Sequence, residues 1–160
     1  HSNDKLSFVK AHLHKEITID DFKFDLVDVR GLTKGKGLVG PVKRFGIALK
    51  QHKTEKGVRR PGSLAPWHPA RVTFHAPQAG QLGMFTRVIY NLMILSKGSI
   101  KDKNINPITG FRNYGNIKTS YLIIKGSVQG PVKRQMLLTP AFRPTKLQTK
   151  RKYEFQELMH

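Results

Sequence analysis

A chain of 160 residues with 38% hydrophobic content can hold one domain with a modest core, leaving much of its length outside that core. It has no cysteine, which excludes disulfides and thiolate metal sites and makes an intracellular protein the expectation. Its 29 Lys/Arg against 10 Asp/Glu give a net charge of +19, a field with no obvious use in a free-standing soluble enzyme and a clear one against a polyanion.

The charge is unevenly spread. Six acids precede Arg30: Asp4, Glu16, Asp20, Asp21, Asp25 and Asp28. Between Gly31 and Lys101 the one acid is Glu55, and between Lys103 and Tyr153 there is none. An anionic membrane would want an amphipathic basic helix with a broad apolar face. Here Gly and Pro interrupt the basic stretches, so no membrane partner is expected. No apolar run approaches the length of a membrane span or a signal core. The chain begins His1-Ser2, and is read as processed, engineered or part of something longer.

In chain order, Ser2-Asn3-Asp4 offers N-cap candidates, and Leu6, Val9 and Leu13 follow at helical spacing. A short helix is predicted from about Asp4 to His14. His12 and His14 fall on different faces of it, which argues against a metal pair. Ile17 to Ile19 and Phe22 to Val29 alternate apolar with polar residues, predicting half-buried strand with Asp and Lys outward. Gly31 to Gly37 is rich in Gly and Lys but is not a Walker A loop: the spacing is short, and Gly37 stands where Ser or Thr would bind magnesium. It reads as a loop placing Lys34 and Lys36 and its backbone N–H groups on phosphate, or as an ordinary glycine turn. Leu38 to Leu49 mixes strand-like residues with Gly40-Pro41 and Lys43-Arg44.

Lys50 to Phe74 carries six Lys/Arg (Lys50, Lys53, Lys56, Arg59, Arg60 and Arg71), two His and the single acid Glu55. It has no sustained apolar period, and Pro61, Pro66 and Pro69 deny it a regular helix or ladder. A stretch of this composition cannot bury itself, so a polyanion is the expected partner. Trp67, the only tryptophan, sits at its centre beside His68. It either stacks on a base or sugar or folds back onto the core.

Gly80-Gln81-Leu82-Gly83 leads back to the core. Val88 to Leu95, the most apolar run, predicts a buried strand. Ser99 to Lys118 predicts a long loop or hairpin, and Ser120 to Gly126 another strand. Val132 to Leu138 is the last expected strand, followed by a basic tail with Lys146, Lys150, Arg151 and Lys152. Glu154 to Met159 is read as a helical turn or fray. Gly40-Pro41-Val42-Lys43-Arg44 recurs as Gly130-Pro131-Val132-Lys133-Arg134, either as two similar turns presenting Lys-Arg pairs outward or by chance. Short strands, Gly/Pro turns and little helix predict a mainly β protein, a small closed β-barrel with a short N-terminal helix.

No catalytic constellation emerges. The acids cluster away from the basic core, no His-Glu-x-x-His pattern is present, and Ser63 lies outside any nucleophile elbow. The expectation is no enzyme, no catalytic residue, no metal, no cofactor and no small-molecule substrate. A nuclease using His and Lys, with His52, His68 or His75 supplying the base, is the conceivable exception.

Several of these segments together resemble the universal large-subunit ribosomal protein three family. Asp28 to Gly37 and Gly40 to Gly46 resemble its glycine- and lysine-rich segment, and Arg59 to Val72 its finger. Trp67-His68-Pro69-Ala70, Ala79 to Gly83 and Asn106 to Phe111 are similar to its archaeal and eukaryotic branch. The resemblance covers about Glu16 to Thr145. It implies a barrel of the translation-factor type over 1–49 and 75–145, a basic rRNA-penetrating extension over 50–74 and a basic tail over 146–160. It also implies a cytoplasmic ribosomal protein that binds large-subunit rRNA beside neighbouring ribosomal proteins, supports assembly and organises RNA near the peptidyl transferase centre. RNA contact is expected at Lys34, Lys36, Lys43, Arg44, Lys50, Lys53, Lys56, Arg59, Arg60, Trp67, His68, Arg71, Lys133 and Arg134. Family members are about twice as long, and their N-terminal part has no counterpart here, which implies an interior piece or a shortened form. An extraribosomal nucleic-acid binder without rRNA specificity is the other reading.

Overall fold

The computed structural model describes residues 2–16 and 18–158, with side chains from Asp4 onward. Helix α1 spans Ser2–His12, and its Ser2 and Asn3 cap candidates lie outside the described side chains. Within α1, the Phe8 and His12 rings stack at 4.2 Å, and His12 Nδ1 meets Phe8 O at 2.8 Å. Ile17 is outside the described residues, and Ile19–Asp21 is a single 3-10 turn, not a strand. Its Asp21 carboxylate accepts from Thr18 N–H at 2.9 Å. That bond, with Lys15 adding attraction, holds the Asp21 carboxyl below its ordinary range.

The strands are β1 (Leu26–Leu32), β2 (Leu38–Val39), β3 (Gly80–Gln81), β4 (Thr86–Ser99), β5 (Ser120–Ile124) and β6 (Leu137–Pro140). Two short helices complete the set: α2 (Pro41–Phe45) and α3 (Lys146–Lys150). Four strands form one sheet in the order β5-β4-β1-β6, and β2 and β3 form a separate antiparallel ribbon.

The expected closed barrel does not form. Closure requires the outermost strands to pair with each other, and here β5 and β6 are the two ends of an open sheet. The reason lies in three segments expected to supply strand. Ile19–Asp21 coils, Leu38 to Leu49 gives two strand residues and then α2, and only the end of Val132 to Leu138 joins β6. The Gly40-Pro41 start and Gly46, at φ 69°, are a helix N-terminus and a left-handed C-cap. Glu154–Leu158 is irregular, and Met159 lies outside the described residues.

Two compact units divide the chain. The first comprises His1–Val29, Ile89–Ser127 and Leu138–His160. Its core is small: Val27 and Val29 are fully enclosed, with Ile105 and Tyr121 buried beside other residues of the unit. Asp28 is buried too, contrary to the expected outward face, because β1 is covered on both sides. Its Oδ1 accepts from the N–H of Asn91, at 2.9 Å. That bond satisfies a carboxylate that would otherwise be costly to bury. Antiparallel β4 and β5 pair Gly98 with Tyr121. A Cβ at Gly98 would lie 2.7 Å from the tyrosine hydroxyl, so the glycine makes room for the ring. In the 99–119 loop, Asn106 acts as a substitute strand: Nδ2 donates to Ile117 O at 3.0 Å, and Oδ1 accepts from Ile117 N at 2.8 Å. No helix among the described residues is long and apolar enough to cross a membrane.

Candidate nucleic-acid interface

The second unit comprises Arg30–Val88 and Val128–Leu137. It holds fourteen Lys/Arg and one acid, Glu55. All fourteen residues expected to contact RNA fall inside it.

Its frame is a pair of facing segments, Thr33–Gly37 and Leu82–Phe85. Thr33 N–H donates to Phe85 O at 3.0 Å, Lys36 N–H to Leu82 O at 2.9 Å and Leu82 N–H to Gly37 O at 2.9 Å. Gly83, at φ 79°, allows this approach: a Cβ there would lie 1.9 Å from Lys34 O. The Thr33 and Lys36 amides are therefore occupied by the return segment. Lys34 and Lys36 themselves are exposed.

The ribbon of β2 and β3 closes the base of the chain between Val39 and Gly80, pairing Leu38 with Gln81 and Val39 with Gly80. Arg44 on α2 completes the closure. Its Nε donates to Gln81 O and its Nη1 to Gln78 O, both at 3.0 Å, and the guanidinium also lies 5.1 Å from the Phe45 ring. A Cβ at Gly80 would come within 3.0 Å of that guanidinium. Lys43, next to it, is exposed.

The excursion from Ile47 to Ala79 has no helix or strand. Local bonds shape it: Lys50 N–H to Val58 O at 3.1 Å, Thr54 N–H to Gln51 O at 3.0 Å and Ser63 Oγ to Ala65 O at 2.9 Å. Lys50, Lys53, Lys56, Arg59, Arg60, His68 and Arg71 are all exposed along it. Trp67 is 88% exposed, and its ring centroid lies 6.5 Å from that of its neighbour His68 in a T-shaped arrangement. It does not fold back onto a core.

The two five-residue repeats adopt different backbones. The first forms α2, whereas the second is a turn with Lys133 at φ 67°. Both nevertheless expose the lysine and draw the arginine in. Arg134 packs its stem near Gly130, and its Nε is buried without a hydrogen-bond partner among the described residues. Lys43 and Lys133 thus face solvent, while Arg44 and Arg134 are partly internal, so the expected outward Lys-Arg pairs are half correct. One cation escaped the sequence reading. Arg87, near the start of β4, lines a cleft with Lys34 and Lys36. Its signal, a basic residue after the glycine-rich return, was hidden in an otherwise apolar run.

A small core, an irregular cationic arm and charge of one sign define a basic protein built around an exposed charged surface. The chain belongs to the ribosomal protein L3 family, whose model matches residues 2–158. It is 44% identical over 145 residues to the large ribosomal subunit protein uL3 of Methanococcus vannielii, covering 88% of this chain and 43% of that protein. The Tetrahymena thermophila uL3 is 37% identical over 155 residues, covering 88% and 40%, and the Archaeoglobus fulgidus uL3 is 40% identical over 148, covering 89% and 44%. These relatives are of the archaeal and eukaryotic branch. The chain spans about two fifths of the length of these relatives.

Proposed function

We propose that the chain is a structural, non-catalytic constituent of the large subunit of cytoplasmic ribosomes. It binds large-subunit rRNA beside neighbouring ribosomal proteins, supports assembly and helps organise RNA near the peptidyl transferase centre. The observation carrying this reading is the charge of the second unit, fourteen Lys/Arg with Glu55 as its single acid, six of the fourteen displayed on an excursion without helix or strand. The exposed surface supports it: 13655 Å², against about 8,100 Å² for a self-contained domain of this mass. The surplus is surface for a partner to cover. Backbone phosphate contacts dominate, with Trp67 and His68 adding shape-specific ones. The excursion gains its order from RNA, because its composition offsets little of its own conformational entropy.

The test is binding of the chain, with and without residues 50–74, to large-subunit rRNA and to unrelated RNA of equal length across a salt series. Preference for rRNA that survives moderate salt and shrinks with the deletion supports the reading. Equal affinity for both RNAs, fading along one salt slope, would replace it with a generic polyanion binder.

A further inference from the structure

The second unit contains a cleft of about 450 Å³, lined by Lys34, Lys36 and Arg87, with Thr33, Phe85 and Gln129 between them. One wall is the Thr33–Lys36 loop, pinned through its backbone to Leu82 and Phe85. Two of its amides are occupied, and Lys34 and Lys36 line the cleft with exposed side chains. Arg87, near the start of β4, also lines the cleft. Gln129 Nε2 donates to Arg87 O at 2.8 Å, tying the strand to the 128–130 turn. The Arg87 guanidinium lies 5.2 Å from the Phe85 ring and gives one hydrogen bond, from Nη1 to Thr86 O at 3.0 Å. A guanidinium has five donors, so Arg87 retains capacity for an anion.

No carboxylate lines this cleft, and the unit's single acid, Glu55, lies in the excursion. Three cations without a counter-charge raise one another's field and attract an anion. Gly83 also lines the cleft, and its missing Cβ lets the return segment lie directly against the Lys34 carbonyl. We propose that this cleft binds the sugar-phosphate backbone of an RNA strand, with Lys34 and Lys36 on one side and Arg87 on the other. Arg87 is then a phosphate-binding residue. This rests on the rRNA-binding reading above, which it deepens by giving the strand a track separate from the excursion.

The test compares the full chain with R87Q, R87K and the double variant K34Q/K36Q. Affinity for large-subunit rRNA is read across a salt series, and backbone protection is read by hydroxyl-radical footprinting. R87Q is expected to lower the logarithmic salt slope by about 0.7 to 0.9, the loss of one phosphate contact. R87K should keep the slope, because charge is retained. R87Q and K34Q/K36Q should uncover the same short run of nucleotides, distinct from the run uncovered by R59Q/R60Q in the excursion. If R87Q leaves slope and footprint intact while R59Q/R60Q weakens binding, the cleft proposal fails and the rRNA reading stands. If the unaltered chain shows no preference for rRNA, both fail. All substituted side chains are exposed, and an unchanged circular dichroism spectrum separates lost contact from lost fold.

Discussion

Gly83 and Gly37 both have positive φ, at 79° and 66°, yet their surroundings differ. A methyl at Gly83 meets the Lys34 carbonyl, whereas nothing lies within 4 Å of one at Gly37. Gly37→Ala should therefore cost only the left-handed backbone penalty, about 1–2 kcal/mol. Gly83→Ala adds a backbone collision to that penalty and should lower the urea midpoint clearly further; equal midpoints for the two would show that the facing segments can separate freely. Trp67 poses the opposite case. At 88% exposure its removal should change stability by less than about 0.5 kcal/mol. If it stacks on a base, Trp67→Ala should weaken rRNA binding by about 1–3 kcal/mol, roughly five- to 150-fold. Unchanged affinity in a titration would strip Trp67 of that role. The exposed position of this side chain was readable from its Pro-flanked, apolar-poor setting. The burial of Asp28 was not, because alternation alone cannot tell a strand covered on one face from one covered on both.

At the scale of elements, α2 and the β2–β3 ribbon act as the gate of the excursion. Arg44 joins them through two carbonyls, so it serves the fold before it serves RNA. Hydrogen bonds from a charged donor are worth about 1.5–3 kcal/mol. Arg44→Gln should accordingly speed hydrogen exchange at the Leu82 and Lys36 amides by roughly ten- to a hundredfold if they open together with the ribbon. Lys43→Gln, on the exposed neighbour, should leave that protection unchanged and only weaken RNA binding. Equal exchange in both variants would mean that the ribbon holds without its arginine. The five-residue repeat was legible in sequence, but not the inward turn of its arginine. That turn depends on carbonyls more than thirty residues away, at Gln78 and Gln81. Likewise, the Pro-to-Gly frame of α2 was present in the sequence, and the neighbouring apolar residues drew the prediction towards strand.

For the whole molecule, the balance of core and charge governs behaviour. Four buried apolar residues anchor the described core, all in the first unit, while the second carries nearly unopposed positive charge. Ligand that binds only the folded chain stabilises it by mass action, about 2.7 kcal/mol at a hundred times Kd. Adding rRNA at that level should raise Tm by several degrees, and raising salt should erase most of the gain as counterions compete. A Tm indifferent to RNA at low salt would contradict a partner-dependent surface.

Composition and local pattern alone determined much about this protein: its mainly β character, N-terminal helix, long apolar strand and irregular cationic arm. They also determined its family likeness, through Gly, Lys, Pro and Trp motifs that stay contiguous in the chain. These features are local, since charge density, proline stiffness and hydrophobic period act within a few residues. Tertiary structure alone decided that the sheet stays open, that Asp28 is enclosed, that Arg44 is a clamp and that Arg87 joins Lys34 and Lys36. Each of those depends on pairing across distant segments. Which strands become neighbours is set by the packing of the whole fold, and no periodicity in a single segment specifies it.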